Sequence, residues 1–123
     1  MKRDMELVRK LLLFLEEKPD HVVLEKVELE GYDDLTIGHH LVIMYEAGLI
    51  EGEPHVSTSS RRVIKVWPNH LTWKGYDFLS AARDESVWKK VKAKLASGAG
   101  DIPIALPKEL LLATLRAQLK TLV

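Results

Sequence analysis

A chain of 123 residues has the usual length of one domain, and 46% apolar residues are enough to bury a continuous core. The lack of cysteine excludes disulfides and thiolate metal sites and points to a reducing, cytoplasmic setting. The formal charge of zero hides an asymmetry: residues 1–62 sum to −5 and residues 63–123 to +5, with an acidic stretch over 16–53 and a basic one over 61–94.

Met1-Lys2-Arg3 is basic, but Asp4, Glu6, Arg9 and Lys10 interrupt any apolar run, so no signal peptide is expected. The apolar clusters Leu11 to Leu15 and Leu110 to Ala113 are far shorter than the ~20 residues that span a bilayer, and no membrane partner is expected. Val8, Leu11, Leu12 and Leu15 fall at i, i+3, i+4 and i+7, which predicts an amphipathic helix from 4 to about 18, closed by Pro19. Residues 22–30 alternate loosely and fit either a short strand or an irregular connection. Ile37, Leu41 and Met44 predict a helix over 35–47, capped by Asp33, Asp34 or Thr36 at its start and by Gly48 at its end. Leu49 to Glu53 and Val63 to Trp67, joined by the polar loop 55–62, predict a β-hairpin whose second strand ends at Pro68 and Asn69. Thr72 is placed to cap a helix running to about Arg83. A further helix from about 86 to 96 buries Trp88, Val91 and Leu95 and turns Lys89, Lys90, Lys92 and Lys94 outward. Residues 98–106 read as a Gly/Pro linker, and residues 107–123 as a last helix with Leu111, Leu115, Leu119 and Leu122 along one side.

This order predicts a mainly α fold with a small antiparallel β-hairpin (α+β): a winged helix-turn-helix over residues 1–97 with its following helix, then the linker and the C-terminal helix. The specific signal is a helix ending in Gly48-Leu49-Ile50, a hairpin, and the block Leu71-Thr72-Trp73-Lys74-Gly75-Tyr76-Asp77-Phe78-Leu79. Met1 to Met5, His40 to Ile50, that block, and Arg83, Trp88, Lys90 and Lys92 together resemble an uncharacterised family of small bacterial and prophage-encoded proteins. The resemblance covers roughly residues 1–95, and it implies no activity, cofactor or catalytic residue.

By fold analogy, the helix over 35–47 is the element that would enter a DNA major groove, with Thr36, His39 and His40 as base-contact candidates. That helix holds no Lys or Arg and starts beside Asp33 and Asp34, whereas phosphate contact relies on cations. A DNA-binding or regulatory protein of prophage type would therefore rely on Arg61, Arg62 and Lys65 in the hairpin. The alternative is an adaptor or modulator of a host protein that does not bind DNA. It would dock through Asp33, Asp34, His39, His40 and Glu46, or through the C-terminal leucines, which either pack in cis or pair with a second copy as a homodimer. No catalytic motif is present, and His21, His39, His40, His55 and His70 are scattered, so neither an enzyme nor a metal or other cofactor is expected.

Overall fold

The computed structural model describes residues 2–97, which form four helices and one two-stranded antiparallel sheet. The expected linker 98–106 and the helix 107–123, with Leu111, Leu115, Leu119 and Leu122, lie outside these residues, as do the side chains of Lys94 and Leu95. Among the described residues, no helix is long and apolar enough to cross a membrane. The chain falls into two compact units, Met1–Gly75 and a second beginning at Tyr76.

In the first unit, α1 (Met5–Glu16) begins where the Asp4 carboxylate accepts hydrogen bonds from the amides of Glu6 and Leu7, at 3.0 and 3.2 Å. It buries Leu7, Val8, Leu11, Leu12 and Leu15, the stripe that the periodicity predicts. The helix stops two residues earlier than expected, because Pro19 disfavours helical backbone at Lys18. Residues 20–33 contain no strand, so the irregular reading of 22–30 holds. The Leu24 amide donates to the Pro68 carbonyl (2.9 Å), the Asn69 side-chain amide donates to the His21 carbonyl (2.8 Å), and Val27 is buried.

The next helix, α2 (Asp34–Glu46), is capped by Asp33, whose carboxylate accepts from the Thr36 amide at 2.7 Å. At its far end Gly48 takes the left-handed conformation (φ 77°). The Gly48 amide donates to Tyr45 and the Leu49 amide to Met44, both at 3.0 Å, so the last carbonyls are satisfied before the chain leaves the helix.

The hairpin pairs β1 (Ile50–Val56) with β2 (Val63–Leu71), from Ile50 opposite Leu71 at the base to Val56 opposite Val63 near the tip. Its second strand is longer than the sequence predicts and runs through Pro68 and Asn69. A proline is tolerated here because the register shifts between Glu51 and Gly52, a bulge that leaves Asn69 unpaired in the ladder. Gly52 fits the bulge because a Cβ there would lie 2.4 Å from the Trp67 carbonyl oxygen.

A clasp closes the base of the hairpin. The Thr72 hydroxyl donates to the Gly48 carbonyl, the Thr72 amide to Leu49 (3.0 Å), and the Gly75 amide to the Thr72 hydroxyl (3.1 Å), which caps α3 (Trp73–Ala82). Gly75 lies so close to the Leu49 backbone that a Cβ would fall 2.1 Å from its carbonyl oxygen. The sequence blocks around Gly48 and Gly75 are thus two halves of one contact.

In the second unit α3 buries Phe78, Leu79, Ala81 and Ala82. Asp84 caps α4 (Glu85–Ser97) by accepting from the amides of Ser86 (2.9 Å) and Val87 (3.1 Å). Trp88 and Val91 are buried as the spacing predicts, with Trp88 edge-on to Phe78 at 6.2 Å between ring centres. Lys89, Lys90 and Lys92 are exposed.

Candidate functional site

The core side of α2 is formed by Ile37, His40, Leu41 and Met44, all buried. Its other side carries Leu35, Gly38, His39, Val42, Ile43 and Glu46, at the spacing of a single helical stripe. That outer stripe is one wall of an open groove whose opposite wall is the hairpin at Arg61, Arg62, Val63, Ile64 and Lys65. Val42, Ile43 and Val63 are buried or half-buried, whereas Leu35 and Ile64 are 73% and 64% exposed, unusually high for such side chains.

The groove brings together six of the side chains singled out in the sequence: Asp34, His39 and Glu46 on the helix wall, and Arg61, Arg62 and Lys65 on the hairpin wall. Acid and base therefore share one surface, although they fall in separate stretches of the sequence. Asp34 also lies 3.8 Å from Lys26, which pairs with Glu28 at 3.1 Å. The hydrogen bond to Glu28, then the charge of Asp34, raises the Lys26 ammonium above its ordinary range.

Three candidates have other places. His40 is fully buried (0% exposed) and is a core residue, which corrects its assignment as a contact to DNA or a protein partner. Its Nδ1 sits 2.8 Å from the Thr36 carbonyl and its Nε2 accepts from the Asp4 amide at 2.8 Å, so the ring is the neutral Nδ1–H form and joins α2 to the start of α1. Thr36 is half-buried and does not line the groove. Asp33 is exposed but committed to the helix cap; hydrogen bonds from the Thr36 side chain and then its amide hold the carboxyl below its usual range.

Two lining residues depart from local backbone preference. Gly38 sits in a helix interior, where glycine is unfavourable relative to alanine, yet a Cβ at this position would meet nothing within 4 Å. Across the groove Arg61 adopts φ 57°, the left-handed region that suits glycine or asparagine. The tip is held there by its own hydrogen bonds: the Arg61 amide donates to Ser57 (3.0 Å) and the Ser57 amide to Arg62 (2.8 Å).

Sequence reasoning missed Leu35, Gly38, Val42, Ile43 and Ile64. The available signal is that α2 carries apolar residues on more than one side, too many for a helix with a single buried face. What this lining offers chemically is burial for apolar side chains between rims of opposite charge. Among the described residues, no group of three or more His, Asp or Glu side chains could hold a metal ion.

Residues 2–101 match the family described as "Hypothetical protein (DUF2513)". The chain belongs to this family. It is 30% identical over 105 residues to a protein of Haemophilus influenzae described as "Uncharacterized protein", a match that covers 85% of this chain and 86% of that one. No solved structure matches the chain. Neither description names an activity, and the DUF2513 match spans both groove walls.

Proposed function

We propose that this DUF2513 protein is a non-enzymatic binding module of winged-helix type that takes a protein partner in the groove between α2 and the hairpin. The observation that carries this reading is the outer stripe of α2: exposed Leu35 and half-buried Ile43 beside buried Val42, with Asp34 and Glu46 at its ends and no Lys or Arg. An apolar centre with a polar, two-signed rim is the anatomy of a protein interface. DNA would instead meet two carboxylates at the helix that should enter its major groove, and no Lys or Arg on the helix itself to displace counterions. Gly38 and Arg61 support the reading independently. Each lowers the stability of the folded domain, and residues of that kind concentrate where a surface serves a ligand.

The hairpin cations Arg61, Arg62 and Lys65 are the part of the groove that favours the second reading, DNA binding in a regulatory role. The two are separated by placing a photoreactive residue at position 39 in the full chain and illuminating it in a bacterial lysate supplemented with random-sequence duplex DNA. Cross-linking to protein, whether another chain or a second copy, is expected. Cross-linking to DNA that disappears at moderate salt, and is lost in the Arg61→Ala/Arg62→Ala variant, would overturn the protein reading.

A further inference from the structure

We infer that the occupant of the α2–hairpin groove is a second copy of this chain, bound as a two-fold dimer; the inference rests on the protein-binding reading above and names its partner. The argument is one of charge and shape. The lining residues of the helix wall carry only acid, Asp34 and Glu46, and those of the hairpin wall only base, Arg61, Arg62 and Lys65. A surface divided in this way is complementary to itself, because a two-fold axis running along the groove lays the helix wall of one copy against the hairpin wall of the other. Each acid–base contact then occurs twice. The formal charge of the whole chain is zero, so two copies approach without long-range repulsion.

The apolar positions fit the same arrangement. Leu35 and Ile64 are exposed on opposite walls, and Val42 and Ile43 lie between Gly38 and Glu46 on the helix. Seating the helix wall of one copy against the hairpin wall of the other removes Leu35, Ile43 and Ile64 from water; Val42 is already buried. Gly38, open above its backbone, leaves room for the partner's hairpin wall at the middle of the stripe. The Asp34–Lys26 pair is no obstacle, since both side chains are largely exposed and such pairs contribute little.

The test uses two charge-reversed full-length chains. One carries Asp34→Lys and Glu46→Lys, which makes both walls basic; the other carries Arg61→Glu, Arg62→Glu and Lys65→Glu, which makes both acidic. Sedimentation of the wild-type chain over a concentration series should show a dimer. Each reversed chain alone should dimerise at least about tenfold more weakly, since facing like charges opposes association. A 1:1 mixture should recover the dimer, because every helix wall then meets a hairpin wall of opposite sign. Circular dichroism and thermal melting of each chain establish that it is folded, and Ile64→Glu, at an exposed position of the hairpin wall, provides an uncharged-to-charged disruption of the same groove.

A wild-type chain that stays monomeric would overturn the inference, as would a dimer unaffected by either reversal or by Ile64→Glu, or a mixture that fails to reassociate. A monomeric wild type that still cross-links at position 39 to a different protein would remove the second copy as partner and leave the protein-binding reading in place. Cross-linking to DNA would remove both.

Discussion

Gly38 and His40 are two residues apart on α2 and have opposite relations to the domain. Gly38 gives the fold nothing that alanine would not, since a methyl group there enters open space. Gly38→Ala should therefore raise stability by about 0.5–1 kcal/mol through helix propensity. Arg61→Asn should add roughly 1 kcal/mol by relieving the left-handed backbone. Both should weaken association in the groove, and urea denaturation beside sedimentation would reveal the opposite signs. Higher affinity in either variant would count against the role assigned to that residue. His40 behaves the other way. His40→Leu leaves the Asp4 amide without its acceptor and should destabilise the chain by about 1–3 kcal/mol, read from the shift in urea midpoint. The periodicity already separates the two: His40 lies three residues after Ile37 and four before Met44, on the stripe that the spacing buries, whereas Gly38 falls on the opposite side. A polar histidine reads more readily as a contact residue than as core, which is why its burial was not expected.

At the level of elements, the capping residues were the most legible, because their chemistry is local. Asp33, one of three caps expected for α2, and Thr72 each precede a helix and accept from its free amides, and Gly48 ends α2 in the conformation that its identity predicts; Asp4 and Asp84 cap α1 and α4 without having been singled out in the sequence. The hairpin was legible in existence but not in extent, since Pro68 reads as a strand terminator until the bulge opposite Gly52 is known. Caps made by carboxylates also give the fold an acid dependence. Asp33 is held below its ordinary range by hydrogen bonds from the Thr36 side chain and amide, and Asp84 by those from the Val87 amide and then the Ser86 side chain. Both carboxyls are depressed in the folded state, so their contribution is complete above about pH 4 and is lost as pH falls through the lowered values. The melting temperature of the wild-type chain should fall between pH 5 and pH 2.5, and the Asp33→Asn/Asp84→Asn variant should show a smaller fall, because asparagine caps without titrating. Parallel curves for the two chains would show that other carboxylates set the acid limb.

Over residues 2–97, the order of elements could be read in advance, whereas the placing of charge could not. Linear sums put acid in one half of the sequence and base in the other, but the fold returns the hairpin beside α2 and sets Arg61, Arg62 and Lys65 across from Asp34 and Glu46. Sequence distance is a poor guide here because an antiparallel hairpin brings residues from well beyond the helix back alongside it. The same reversal explains why a groove with apolar lining was invisible: its two walls are about 25 positions apart, and neither is a complete site alone.

The clasp between Gly48-Leu49 and Thr72-Gly75 fixes the two feet of the hairpin to the end of one helix and the beginning of the next. The outer loop, held by its own hydrogen bonds, is remote from that closure. A short Gly/Ser insertion between Thr58 and Ser59 should leave the thermal midpoint nearly unchanged, because lengthening an exposed loop adds little closure entropy, while displacing Arg61 and Arg62 from the groove. A substitution at the tip can then reshape one wall of the groove without any compensating change in the core.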